Sequence, residues 1–248
     1  MNTQSPAPPL TPPTRTLTLS VFGCLKQDLA PRLAPLTRRK DVRIEYQLDF
    51  PLLYVRLILG GSAAGEVAAS KLEREFRALL GHDAYAEGLH GLAEVVINTL
   101  KARRLRLTTA ESCTGGLLAG LITSVPGASE IFELGLVTYG DEQKRKLLGV
   151  PADLLATHGA VSREVAVAMS AGALKLVPAD IAVAITGIAG PSGGSREKPV
   201  GTVHFGLATA RGVAHLVRRW DYDRHRIREI AAATALDLVR RHLEAKEI

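Results

Sequence analysis

An abrupt change from an extended segment to a helix constrains this chain more than any other feature of its sequence. Residues 105–109 have the pattern of a strand, and a run of small and hydroxylic residues, TAESCTGG at positions 109–116, follows it directly. Apolar residues then recur at helical spacing: Leu117, Leu118, Leu121, Ile122 and Val125. Such a junction places side-chain oxygens beside the unpaired N–H groups and positive end of a helix, where an anion can bind.

The same stretch has a simpler interpretation. Ser112 and Thr114 could act only as helix caps, while Gly115 and Gly116 let the helix pack closely on the strand. Three further polar segments favour a site over a cap: residues 139–144, residues 186–191 and the pair Asp223-Arg224.

The composition predicts a core made of aliphatic side chains. Of the 248 residues, 46% are hydrophobic and only 4% aromatic, as in proteins that alternate helices with sheet layers. The nearly continuous apolar segments 134–139 and 181–186 lie between helical patterns, which indicates a parallel sheet covered on both faces. We therefore predict an α/β fold, a three-layer and mostly parallel sheet with helices on both faces, preceded by a small α+β domain.

The domain organisation follows from changes in pattern along the chain. Residues 1–15 are rich in proline and predict a disordered tail. Residues 16–87 predict the small α+β domain, with strands at 16–22, 42–48 and 53–59 and helices at 25–36 and 63–80. Residues 88–248 predict the larger domain, with helices at 89–103, 162–177 and 224–245 and a hairpin of 201–209 with 213–221.

Charge and cysteine usage exclude several classes of protein. The net charge of +6 is thinly spread, and only Arg38-Arg39-Lys40 forms a basic cluster, so we do not expect nucleic-acid binding. Cys24 and Cys113 have no metal-ligand or disulfide spacing, and we expect neither a metal nor a cofactor. Without a membrane-spanning run or a signal peptide, a cytoplasmic protein is expected.

From about residue 89 to its end, the sequence resembles the C-terminal domain of the CinA family and the stand-alone nicotinamide-nucleotide amidases. The motifs that carry the resemblance are AESCTGG (110–116), VTYGDEQK (137–144), HGAVS (158–162), TGIAGPSGGSREKPVGTV (186–203) and Asp223-Arg224. The resemblance implies a homodimer. The large nucleotide-pyrophosphatase domain that opens full-length members is not expected here.

Residues 16–87 resemble the KH-like domain that precedes the amidase domain in that family. A KH domain that binds nucleic acid needs a G-x-x-G clamp, and the segment Gly61-Ser-Ala-Ala-Gly65 is one residue too long. We therefore expect a structural or dimerisation module.

The resemblance implies removal of ammonia from the carboxamide of nicotinamide mononucleotide, with Ser112 as nucleophile and Lys144 as base. A serine hydroxyl needs an adjacent base, and a lysine serves only when it is neutral. Lys144 lies on the apolar stripe of its helix with Leu147 or Leu148, although a charged segment such as 141–146 is also typical of a solvated helix face. Tyr139 is expected to be catalytic by hydrogen-bonding Ser112 or Lys144, unless it has an ordinary structural partner.

Substrate binding is expected at three segments. Backbone N–H groups of residues 113–115 are candidate donors to an oxyanion. Arg224 is expected to bind the substrate phosphate, unless it pairs only with Asp223; Arg228 could share either role. The remaining candidate substrate-binding residues are Thr114, Gly115, Gly116, Thr186, Gly187 and Gly190.

Three alternatives remain open at the level of sequence. Cys113 is a rival nucleophile, since a thiolate is intrinsically more reactive, and His158 is a possible second base for which a structural role is preferred. A non-catalytic nucleotide-binding or scaffold protein would keep the same motifs without turnover. Nucleic-acid binding by residues 16–87 would instead show a steep dependence on salt.

Overall fold

The computed structural model describes residues 14–245, which form two compact units divided after Gly91. The predicted disordered tail, residues 1–15, lies outside the described residues except for its last two positions, and Arg15 begins the first strand. Among the described residues, none of the helices has the length and apolar character needed to cross a membrane.

The first unit is a four-stranded antiparallel sheet with two helices on one face. The strand order is β2-β3-β1-β4. Its core joins alternate residues of β1 and β3, among them Leu19 and Val55, to Leu33 of α1 and Phe76 of α2. The elements are β1 (Arg15–Val21), α1 (Lys26–Thr37), β2 (Val42–Asp49), β3 (Leu52–Leu59), α2 (Glu66–Leu80) and β4 (Ala84–Glu87).

Two details of this unit differ from the sequence-based expectation. β4 was not predicted; it pairs with β1, with Leu19 opposite Glu87. The helix predicted at 63–80 begins at Glu66, because Gly61–Ala64 form a short 3₁₀ turn between β3 and α2. The KH-like character of this unit stays a prediction.

The second unit is a five-stranded mixed sheet, and it confirms the predicted α/β architecture. The strand order is β6-β5-β7-β8-β9; β5 is parallel to both β6 and β7, while β8 and β9 form the predicted antiparallel hairpin. The elements are α3 (Leu92–Arg103), β5 (Leu107–Glu111), α4 (Leu117–Thr123), β6 (Phe132–Val137), α5 (Asp141–Leu148), α6 (Ala152–His158), α7 (Arg163–Leu176), β7 (Ile181–Gly187), β8 (Thr202–Thr209), β9 (Gly212–Arg219) and α8 (Arg224–Leu243).

The two faces of this sheet are covered by different helices. Ala110 of β5 and Ala184 of β7 belong to one cluster with Leu148 of α5 and Met169 of α7. On the other face, a side chain at Gly135 of β6 would meet Ala119 of α4. Because successive side chains of a strand point to opposite faces, even-numbered residues of β5 and β7 face α5 and α7, and odd-numbered residues of β5 face α4.

Small residues let α7 approach both its neighbouring helix and the sheet. A β-carbon added at Gly172 of α7 would lie 1.9 Å from the carbonyl oxygen of Leu148. One added at Gly206 of β8 would lie 2.3 Å from the carbonyl oxygen of Ala166. This close approach explains why the core needs few aromatic residues.

We predict that Gly172→Ala lowers the free energy of unfolding by about 2–3 kcal/mol, because the methyl group collides with backbone and α7 must shift. Gly120→Ala is the matched control. Gly120 also lies in a helix, α4, but an added β-carbon there meets nothing within 4 Å, so alanine should raise stability by up to about 1 kcal/mol. Urea unfolding of both variants measures the difference, and equal stability would contradict the packing account.

Candidate active site

Three hydroxylic residues lie side by side where the parallel strands end. Glu111 pairs with Val137 of β6 and with Ile185 of β7, and these are the last pairs of the two ladders. The amide of Thr138 donates to the carbonyl of Glu111 at 2.8 Å, and the amide of Ser112 donates to the carbonyl of Ile185 at 2.9 Å. Ser112 is therefore flanked by Thr138 on β6 and by Thr186 on β7.

Ser112 faces the side of the sheet that α5 and α7 cover. It follows Ala110 by two residues, and Ala110 packs in the cluster with Leu148 and Met169. The side chain is 8% exposed, and among residues 14–245 its hydroxyl has no hydrogen-bond partner. An uncommitted hydroxyl at the carboxyl end of a central parallel strand is well placed to meet a ligand.

Cys113 is the neighbour that could compete with this hydroxyl. Its side chain is 5% exposed, and burial, together with the nearby Glu111 carboxylate, raises the pKa of the thiol to about 12. A buried thiol that stays protonated at neutral pH is a poor nucleophile. The structure therefore favours Ser112 in the alternative that the sequence left open.

Glu111 holds the turn between β5 and α4 in place, a role that sequence reasoning missed. Its side chain is fully buried on the α4 face, and its carboxylate accepts the amides of Gly116 and Leu118 at 3.0 Å and of Ala119 at 2.8 Å. A carboxylate that accepts otherwise unpaired N–H groups satisfies the start of a helix. An acidic residue inside a buried strand, directly before small residues, was the available signal.

This arrangement changes the set of candidate oxyanion donors. The amide of Gly115 donates to the carbonyl of Ser112 at 3.1 Å, so it is already used. Gly115 and Gly116 have φ values of 59° and 92°, a left-handed conformation that glycine adopts without strain. Within the described part of the chain, no backbone carbonyl accepts the amides of Cys113 and Thr114, and these two remain as donors.

Lys144 of α5 points inward, as the helical stripe predicted. It is 1% exposed and lies one turn before the buried Leu148 on the same face of the helix. Its Nζ donates to the carbonyl of Tyr139 at 3.0 Å and lies 3.4 Å from Oδ1 of Asp141. Tyr139 follows Thr138 directly, so the Lys144 amine reaches the carboxyl end of β6, the strand next to the one that leads to Ser112. The solvated-face alternative is wrong for this residue.

Tyr139 contributes differently from the expectation. Its ring is 60% exposed, and its hydroxyl accepts a hydrogen bond from Nη2 of Arg224 at 3.2 Å instead of contacting Ser112 or Lys144. Nη1 of Arg224 donates to the carbonyl of Gly190 at 2.9 Å. Asp223 does not take this arginine; it caps α8 by accepting the amide of Arg226. Arg224 thus links the loops that follow β6 and β7.

Arg228, one turn further along α8, links the third loop. Its Nε and Nη2 both donate to the carbonyl of Thr114, at 3.3 and 2.7 Å. The hydroxyl of Thr114 is fully buried and has no partner among the described residues. The start of α8 therefore ties together the loops around residues 114, 139 and 190, which the sequence could propose only as separate segments.

Thr186 and His158 have structural partners. The hydroxyl of Thr186 donates to the carbonyl of Ala160 at 2.8 Å and fixes the loop before α7, so it is committed where the sequence suggested a substrate contact. A β-carbon at Gly187 would lie 2.8 Å from Cγ2 of Val203, so glycine is needed there for strand packing. Glu164 lies 3.7 Å from Nδ1 of His158, an acidic partner that the sequence did not indicate.

A histidine pair extends the row of residues across the sheet. His204 of β8 is paired with Thr186, and its Nδ1 lies 3.0 Å from Nε2 of His215 on β9. Burial first, and then the positive charges of His215 and Lys198, lower the pKa of His204 to about 4. Among residues 14–245, no group of three or more His, Cys, Asp or Glu side chains is arranged to hold a metal ion.

Comparisons with known proteins agree with this architecture. The family model of the CinA C-terminal domain matches residues 89–243. A "CinA-like protein" of Geobacter metallireducens is 44% identical over 236 residues, and a "putative competence-damage inducible protein" of Caldanaerobacter subterraneus is 48% identical over 232 residues. Each alignment covers 93% of this chain but only 56% of the relative, so the chain spans about half their length.

Solved structures are similar over about three fifths of the chain. The competence/damage-inducible protein CihA of Agrobacterium tumefaciens is 46% identical with a TM-score of 0.60, covering 62% of this chain and 93% of that protein. A CinA superfamily protein of Klebsiella pneumoniae is 40% identical, also with a TM-score of 0.60, covering 62% of this chain and 96% of that protein.

We predict that Cys113 resists alkylation in the folded protein. With a thiol pKa of about 12, only about one thiol in 10⁴ is ionised at pH 8, and the side chain is buried. Iodoacetamide treatment at pH 8, read by peptide mass spectrometry, should leave Cys113 unmodified over hours and modify it fully in urea. Rapid and complete labelling of the native protein would restore Cys113 as a candidate nucleophile.

Proposed function

The chain belongs to the CinA family, and from that premise we propose that it is an amidohydrolase that removes ammonia from nicotinamide mononucleotide to give nicotinic acid mononucleotide. The observation that supports this most is that an uncommitted serine hydroxyl and a buried lysine both lie at the ends of adjacent strands, although the structure shows no hydrogen bond between them. A hydroxyl beside a buried amine is the arrangement that a serine nucleophile and its base require.

In the first half of the reaction, Ser112 attacks the carboxamide carbon. The hydroxyl proton passes to the amine of Lys144, an Oγ–C bond forms, and the carbonyl π electrons move to oxygen. The amides of Cys113 and Thr114 stabilise this oxyanion, and one such donor contributes roughly 3–4 kcal/mol in comparable sites. The tetrahedral intermediate collapses when Lys144 returns the proton to the leaving nitrogen, which departs as ammonia.

In the second half, water hydrolyses the acyl-serine ester. Lys144 takes a proton from the attacking water, and the proton then returns to Ser112 Oγ as the ester bond breaks. The products are nicotinic acid mononucleotide and the free enzyme. The same base therefore serves both halves, and the reaction needs no group beyond those of the chain and water.

Arg224 is proposed to bind the substrate phosphate. Two of its N–H groups hold Gly190 and Tyr139, and a guanidinium has five donors, so others remain for an anion. Because Arg224 joins two loops, phosphate binding would also fix the loop that carries Gly187 and Gly190. This proposal assigns Tyr139 to orienting Arg224 rather than to the reacting atoms.

We also propose the active region, the oligomeric state and the compartment of the protein. The relatives are about twice as long as the region that this chain matches. We therefore propose that this region is active by itself. The family resemblance supports a homodimer, and the two free cysteines are compatible with a reducing cytoplasm.

We predict that Ser112→Ala and Lys144→Met each reduce kcat for ammonia release from nicotinamide mononucleotide by about 10³-fold or more, because one removes the nucleophile and the other the base. Cys113→Ala and Lys146→Met are the matched controls, a neighbouring position and an exposed lysine of the same helix, and should stay within a few-fold of wild type. All assays contain a chelator.

The role of Arg224 is read from a comparison of two substrates. Arg224→Ala should raise KM for nicotinamide mononucleotide by about 10–100-fold and lower kcat/KM for nicotinamide riboside, which lacks the phosphate, by a much smaller factor. Undiminished turnover by Ser112→Ala would contradict the nucleophile. Ligand-induced stabilisation of wild type without any turnover would instead support a non-catalytic binding protein.

A further inference from the structure

Thr138 is a buried residue beside Ser112 whose hydroxyl has no explanation in the fold. Its side chain is fully buried, and within residues 14–245 its Oγ1 has no hydrogen-bond partner. Proteins satisfy most buried polar groups, so an orphan hydroxyl next to a reactive one indicates a hydrogen bond that forms only during the reaction.

The strand pairing determines which way Thr138 faces. Leu136 of β6 packs against the cluster that contains Ala110 and Leu148, so even-numbered residues of β6 face α5 and α7. The amide of Thr138 donates to the carbonyl of Glu111, the bond that closes the last pair of the ladder, and Thr138 continues this alternation directly after Val137. Thr138 and Ser112 therefore lie on the same face of neighbouring strands, about 4.8 Å apart along the hydrogen-bonding direction.

Lys144 lies on the β6 side of Ser112, as Thr138 does. Its Nζ donates to the carbonyl of Tyr139, the residue that follows Thr138, and is itself buried. On the opposite side of Ser112, the hydroxyl of Thr186 is committed to the carbonyl of Ala160. Of the two threonines that flank Ser112, Thr138 is thus the one whose hydroxyl is available, and it lies on the side of the base.

We propose that Thr138 is a further catalytic residue, whose hydroxyl donates a hydrogen bond to Ser112 Oγ as that oxygen gives its proton to Lys144 and attacks the carboxamide. This inference rests on the proposed function. Thr138 keeps its own proton throughout, and the transferred proton moves only from Ser112 Oγ to Lys144 Nζ. The hydrogen bond strengthens as negative charge develops on Oγ, so it lowers the barrier more than it strengthens substrate binding.

The chain offers a matched control in Thr109. Thr109 of β5 is also fully buried, and its Oγ1 likewise has no partner among the described residues. It faces α4, however, since a β-carbon at Gly135 would meet both its Oγ1 and Ala119. Thr109→Val and Thr138→Val make the same chemical change on opposite faces of the sheet.

The test measures Thr138→Val, Thr138→Ser and Thr109→Val for ammonia release, melting temperature and rate of labelling by a fluorophosphonate, a serine-directed probe. Thr138→Val should lower kcat by about 10–100-fold with KM within about twofold, because only the transition-state contact is lost. Its melting temperature should be unchanged or higher, since an unsatisfied hydroxyl is removed. Thr138→Ser and Thr109→Val should keep kcat within about threefold.

Labelling separates this inference from the proposed function. If wild type labels at Ser112 but releases no ammonia from nicotinamide mononucleotide, the substrate proposal fails, and slower labelling of Thr138→Val alone still supports the role of Thr138. Three results would overturn the role of Thr138. Thr138→Val reacts at wild-type rates, or Thr109→Val loses as much activity as Thr138→Val. In the third, the loss in Thr138→Val accompanies a lower melting temperature and is not restored in Thr138→Ser. Wild type that neither hydrolyses nor labels would overturn both.

Discussion

The register of the parallel strands places the candidate reacting groups next to one another. Because β5 is paired in register with both β6 and β7, the residues that follow Glu111, Val137 and Ile185 come out side by side: Ser112, Thr138 and Thr186. Their alternation puts these residues on the face that α5 covers, and α5 contributes Lys144. A shift of one residue in this register would turn the hydroxyl of Ser112 towards α4.

Glu111 stabilises the turn on the opposite face of the sheet, the face that α4 covers. Its carboxylate accepts three amides at the start of α4, and this leaves the turn at Gly115 and Gly116 with a single arrangement. Consecutive residues thus have separate surroundings: Glu111 fixes the turn, and the hydroxyl of Ser112, on the other face, stays uncommitted. Cys113, buried and protonated, is kept out of the chemistry by the same environment.

Local patterns allowed most of the second unit to be predicted from sequence, whereas contacts between distant segments could not be. The junction before α4 and the hairpin of β8 and β9 follow from spacing and composition, whereas spacing allowed the inward face of Lys144 without deciding it. The bond of Tyr139 to Arg224, and that of Arg228 to Thr114, join segments far apart in the chain, and no periodicity encodes them. Short elements such as β4 and α6 were missed because they carry too few residues for a pattern.

The most direct test of the account is the distance between Ser112 Oγ and Lys144 Nζ in a crystal structure of the wild-type protein with nicotinic acid mononucleotide bound. The account predicts a separation of about 2.6–3.2 Å, the range in which a base can take the proton of a nucleophile. The phosphate should lie against Arg224. A liganded structure in which the amine points to solvent, or lies too far from the hydroxyl for a hydrogen bond or a single bridging water, would contradict it.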